Sequence, residues 1–97
     1  MEAASILHMK READLVRAEL VDALRDYAQV FRDKAELEIK RAENVELMAE
    51  KIAGGGAAEQ PDLKDSQEWA RAMQLNEMRF NELQMRCNRL ILEHGNN

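Results

Sequence analysis

The stretch "AGGGAAEQPD", residues 53–62, decides the fold, because it interrupts an otherwise unbroken helical pattern. Helix-forming residues dominate from Ala3 to Ala53, and this span holds neither proline nor glycine. The three following glycines can end a helix in left-handed conformations. Pro61 then opposes its continuation. The pattern predicts a long helix over about 3–53, a loop over 54–64 and a shorter helix over about 65–94, with an earlier first turn at Pro61 and Asp62 as the alternative.

Apolar residues recur at helical spacing in both segments, with steps of three and four. The second helix has a heptad seam that includes Asn76. Asp65 and Glu68, near its expected start, have the spacing of a capping box. Asn76 has two interpretations: a buried residue that fixes register, or one that meets water. The stripe of the first helix is Val16, Leu20, Leu24, Tyr27, Phe31, Ala35, Ile39, Ala42, Val45, Ala49 and Ile52. That of the second is Trp69, Met73, Asn76, Phe80, Leu83, Cys87 and Leu90.

The two segments predict an all-α fold, a single domain over 1–97 that forms an antiparallel, coiled-coil-like hairpin. The expected helices differ in length, so the shorter one should cover the longer one only from about Leu24 onward. The uncovered N-terminal segment would expose apolar side chains. A chain of this size with 4% aromatic residues also has a thin core. We therefore expect a second copy or a partner protein to complete a helical bundle.

A second set of apolar residues lies off the main stripes, and a two-helix hairpin cannot bury both faces. Met78, Met85 and Leu92 follow one another every seven residues along the second helix, and Val30, Leu37 and Met48 lie off the first stripe. Scattered surface residues are the alternative interpretation. The predicted partner-binding residues are Ile6, Leu7, Val16, Leu20, Met78, Met85 and Leu92.

The overall charge limits the classes of partner. A net charge of −5 argues against nucleic acid, which requires a basic face, and gives little support for an anionic membrane. No apolar run approaches the roughly 20 residues that span a bilayer, and the N-terminus has no signal-peptide layout. The single cysteine, Cys87, fits a reducing compartment. A cytoplasmic location is the expectation.

No arrangement of residues predicts catalysis, a cofactor or a metal. Cys87 and His94 share the second seam, but a zinc site needs three or four ligands. Cys87 is therefore expected in the core. The glycine run follows a helix and lacks the Lys-Ser/Thr of a phosphate-binding loop. We expect a protein that is not an enzyme and has no small-molecule substrate.

One segment resembles a known family. "FRDKAELEIKRAENVELMAEKI", residues 31–52, is similar to an early core helix of F-BAR membrane-bending domains. The similarity implies a helical dimer that touches anionic lipid. The matching positions are Phe31, Arg32, Lys34, Ala35, Glu36, Leu37, Glu38, Arg41, Asn44, Glu46, Leu47 and Ala49.

A second resemblance is architectural. The size, the acidity and the "GGG…EQ…W" turn region look like the helical-hairpin co-chaperones of type III secretion systems. That likeness implies a protein that covers an aggregation-prone subunit or a second chaperone. The residues and the likenesses together favour a non-enzymatic protein-interaction module: an adaptor, an assembly subunit or a small chaperone. A membrane-surface dimer and a secretion co-chaperone are the alternatives.

Overall fold

The computed structural model describes the backbone of residues 2–57 and 60–96, and the side chains of residues 9–57 and 64–95. It contains two helices, α1 (Glu2–Ala53) and α2 (Gln60–Asn96). The described part of the chain has no strand. The two helices pack against each other in an antiparallel hairpin, so the predicted all-α hairpin is confirmed.

The glycines end α1 as the sequence predicts. Gly55 has a φ of 91°, in the left-handed region that favours glycine. Its amide donates to the carbonyl of Ile52 and the amide of Gly56 donates to that of Lys51, each over 3.0 Å. These two bonds form a Schellman motif, which satisfies carbonyls that the helix end would otherwise leave unpaired.

The predicted start of α2 was wrong. The helix begins at Gln60 rather than near Asp65, so Asp65 lies inside it and is not its N-cap. Pro61 occupies the first turn, where its missing N–H has no intrahelical partner to lose. The connection between the helices is correspondingly shorter than the predicted loop 54–64. At the other end Gly95 lies within α2, which continues to Asn96.

The chain divides into two compact units, each with a segment of both helices. One consists of Met1–Gln29 and Phe80–Asn97, and we call it the terminal unit. The other is Val30–Arg79, which contains the glycine turn and is called the turn unit below.

The terminal unit holds an apolar core between its two helical segments. The ring of Tyr27 packs against this core and lies 5.5 Å from the ring of Phe80, centroid to centroid. Cys87 is buried, as predicted. The core residues are Leu20, Ala23, Cys87 and Leu90.

This core shows that α2 covers more of the N-terminal part of α1 than the sequence predicted. Leu20 is buried against α2 and Val16 is half-buried, although both were expected to extend beyond the second helix. The reason is the length of α2, which is 37 residues instead of the shorter span predicted.

The turn unit buries a different face of α1 from the one predicted. Val30, at 1% exposure, is its most deeply buried α1 side chain, and Leu37 and Met48 are half-buried. All three were expected to lie off the stripe. Since α-helices have 3.6 residues per turn, a shift of one residue turns the face by about 100°. The predicted stripe residues of this unit are all exposed: Phe31, Ala35, Ile39, Ala42, Val45, Ala49 and Ile52.

The predicted seam of α2 is confirmed. Its seven residues are each buried or half-buried, from Trp69 to Leu90. The neighbouring Ile91 is exposed.

Candidate interaction surfaces

The seam of the turn unit mixes apolar and polar residues and is fixed by side-chain hydrogen bonds. The indole Nε1 of Trp69 donates to the carbonyl oxygen of Leu37 over 2.9 Å. The guanidinium of Arg41 lies 5.9 Å from the centroid of the same indole, within the range of a cation–π interaction. Its Nη2 donates to Oγ of Ser66 over 3.2 Å. These contacts align α2 on α1 through polar groups.

Asn76 continues this polar seam. Its Nδ2 donates to the carbonyl oxygen of Val30 over 3.1 Å, and the residue is half-buried. Arg79 pairs with Asp33 over 3.5 Å, in a partly exposed ion pair of modest energy. Asn76 therefore combines features of both interpretations: it retains partial exposure and is bonded across the seam. That bond is directional and favours one register of the two segments.

A groove of about 210 Å³ lies beside Arg41 and Trp69. Nη1 of Arg41 is buried without a hydrogen-bond partner, at a cost of about 1–3 kcal/mol. The groove is also lined by Lys40, Asp65 and Glu68, so both signs of charge are present. Sites for small molecules usually enclose about 300–1,000 Å³. The size and the mixed charge do not define a class of ligand.

The exposed face of α1 in the turn unit is the second candidate, and we call it the outer α1 face. Its large side chains are between 45% exposed, at Val45, and 61% exposed, at Ile39. Alanines separate these residues along the helix. Its members are Phe31, Ala35, Ile39, Ala42, Val45, Ala49 and Ile52.

The residues predicted for partner binding have different locations. Met78, Met85 and Leu92 are exposed, between 55% and 73%, so their side chains are accessible to a partner. Leu20 belongs to the core of the terminal unit. The side chains of Ile6 and Leu7 lie outside the described residues.

The sequence identified the outer α1 face as apolar but wrongly predicted that this face packs against α2. The heptad seam of α2 offered a signal that could have corrected this. A partner seam on α1 should repeat every 3.5 residues, and Tyr27, Arg41 and Met48 satisfy that repeat. Because such a seam includes Arg41 and Asn44, a search for apolar residues alone misses it.

Among residues 9–57 and 64–95, no three His, Cys, Asp or Glu side chains lie close enough to hold a metal ion. Within the described ranges, neither helix has a stretch apolar enough to cross a bilayer.

No protein-family model matches the chain, and neither the curated proteins nor the solved structures contain a match. The resemblances to F-BAR domains and to secretion co-chaperones therefore stay predictions.

Proposed function

We propose that this protein is a non-enzymatic interaction module that binds other proteins through exposed apolar faces of its helices. The observation that carries the proposal is the outer α1 face, where Ile39, Val45 and Ile52 are exposed along one side of a helix. Single exposed apolar residues are normal on a protein surface. A continuous row of them is typical of an interaction site.

Burial of the apolar side chains on this face would contribute favourably to binding. Full burial of a valine or isoleucine side chain contributes about 1.5–3 kcal/mol. The three side chains named above are about half exposed, so a partner would bury only the remaining part of each. The spacing of the residues suits a second helix, which packs its own apolar residues between them.

A neighbouring face of α1, turned by about 100°, is already occupied in this unit. Leu37, Arg41 and Val30 lie against α2 through the contacts described above. A hairpin cannot also cover the outer α1 face with its own second helix. The exposed Met78 on α2 adds an adaptable side chain that suits a protein surface.

The absence of an enclosed reaction site supports the non-enzymatic part of the proposal for the described residues. Catalytic carboxylates need an environment that shifts their pKa. The ion pair between Lys64 and Glu68 has side chains that are 77% and 60% exposed. An adaptor, an assembly subunit and a small chaperone would all use the same recognition, helix against helix.

Site-specific photocrosslinking in cells tests the proposal. A photoactivatable residue replaces Val45, on the outer α1 face, and in a matched variant it replaces the exposed Glu43 on the same helix. We expect a discrete protein–protein crosslink from position 45 and a much weaker one from position 43. Equal or absent crosslinking at the two positions would overturn the proposal.

A further inference from the structure

We infer that the partner of the outer α1 face is a second copy of this chain, paired antiparallel about a twofold axis near Ile39. This inference rests on the proposed function and names the partner. It concerns the turn unit alone, where the face and its flanking charges are all described.

Two alanines of the face lie at equal distances on either side of the proposed axis. Ala35 and Ala42 are equally distant from the midpoint between residues 38 and 39. In a twofold interface, residue i of one copy contacts residue j of the other, and j contacts i. About an axis near Ile39, Ala35 of one copy therefore meets Ala42 of the other, and Val45 falls between Phe31 and Ala35 of the other copy.

The charges along one edge of the face are complementary in that arrangement. Arg32 lies two heptads before Glu46, with Ile39 halfway between them. All three positions are exposed and occupy the same edge of the helix. An antiparallel copy places each Arg32 beside Glu46 of the other copy, so the dimer contains this pair twice. A parallel copy in register would instead place Arg32 beside Arg32.

The shapes of the side chains also suit a paired helix. The alanines at 35, 42 and 49 leave little bulk on the helix surface, and helix axes can approach to about 8 Å where small residues meet. Ile39, Val45 and Ile52 supply the larger side chains between them. Since α2 lies against a face of α1 turned by about 100°, α1 can contact α2 and a second α1 at once.

Glu38 interrupts the face close to the proposed axis, where it would approach Glu38 of the other copy. Two like charges at this position weaken the pairing. The substitution Glu38→Gln removes both charges and is expected to tighten the dimer at least threefold. A different partner protein would not carry this matched charge at the same position.

Charge-reversal complementation tests the arrangement, with mass measured by light scattering after gel filtration. Arg32→Glu alone places Glu against Glu46, and Glu46→Arg alone places Arg against Arg32. Each single variant is expected to dimerise at least tenfold more weakly than wild type. An equimolar mixture of the two, which restores both pairs, should recover the dimer.

Two controls keep the outcome interpretable. The double variant Arg32→Glu/Glu46→Arg should dimerise like wild type, which shows that neither substitution prevents folding. Glu77→Arg changes the net charge as Glu46→Arg does, but on the exposed surface of α2 rather than on α1, and should leave the dimer unchanged.

A wild-type chain that stays monomeric up to high micromolar concentration overturns the inference, and so does a mixture that fails to recover the dimer. If position 45 then crosslinks to a different protein, the proposed interaction module stands and only the identity of its partner is wrong. A crosslinked product of twice the chain mass supports both proposals.

Discussion

The terminal unit and the turn unit are built from the same two helices, but different kinds of contact join the helices in each unit. In the terminal unit, Leu20, Cys87 and Leu90 form an apolar core. In the turn unit, the seam contains Arg41, Asn76 and Trp69, which are joined by hydrogen bonds and a cation–π contact. The residues of the outer α1 face are exposed.

The difference teaches how one helix can supply two interfaces. In the terminal unit, apolar burial holds the segments together, whereas in the turn unit polar contacts fix their alignment. Because the seam of the turn unit uses Val30, Leu37 and Arg41 rather than the residues of the outer α1 face, that face is left for another helix. Buried apolar area stabilises more than directional polar contacts do, since those exchange one hydrogen bond with water for another.

The largest expected effect is in the terminal core. Leu90→Ala removes a side chain that is 1% exposed and should lower the free energy of unfolding by about 3 kcal/mol. Urea denaturation at one fixed protein concentration measures this loss. Leu47→Ala, on an exposed part of α1, is the matched control and should change stability by less than about 0.5 kcal/mol. Similar losses in the two variants would contradict the assignment of the core.

An intermediate effect is expected at the turn. Gly55→Ala forces a side chain into a left-handed conformation and should cost about 1–2 kcal/mol. Gly54→Ala is the control, because its φ is not positive and an added Cβ would meet its nearest atom at an ordinary 3.5 Å. Thermal unfolding followed by circular dichroism compares the two variants. Equal melting temperatures would argue against the Schellman motif.

The smallest effect is expected in the polar seam. Arg41→Met keeps a long side chain beside Trp69 and removes the buried, unpartnered Nη1. Replacement of a buried charge by an apolar group of similar volume is often neutral or stabilising, so the change should stay within about 1 kcal/mol. Arg41→Ala should be less stable than Arg41→Met, since it also loses the packing of the aliphatic stem. Urea denaturation measures the free energy of unfolding of both variants. A loss of stability in Arg41→Met as large as that in Leu90→Ala would contradict the comparison between the two units.

The sequence predicted α2 better than α1. The heptad seam from Trp69 to Leu90 was recognised because its apolar residues coincide with the face that is buried. On α1 the apolar residues from Val16 to Ile52 advance by 3.6 residues per turn, whereas a seam between paired helices repeats every 3.5. The two patterns diverge by about 20° per heptad. The apolar stripe and the seam coincide at Leu20 and Tyr27, and by Val45 they lie on different faces of α1.

The candidate surfaces were predicted in part. The exposure of Met78, Met85 and Leu92 follows from their position away from the seam of α2. The burial of Leu20 did not follow from the sequence, because the start of α2 was placed after Pro61. A proline in the first helical turn is compatible with the helix, and the sequence alone does not show on which side of Pro61 the helix begins.

The sequence by itself determined the two helices, the glycine turn that ends α1 and the face of α2 that packs inward. These are consequences of local backbone preferences and of a hydrophobic period that lies within one segment. Only the tertiary structure decided which face of α1 meets α2 in the turn unit. That choice depends on contacts between residues far apart in the chain, such as Trp69 with Leu37 and Asn76 with Val30. Both bonds end on backbone carbonyls of α1, so they hold the side of α1 that carries Val30 and Leu37 against α2, and the outer α1 face is left exposed to solvent.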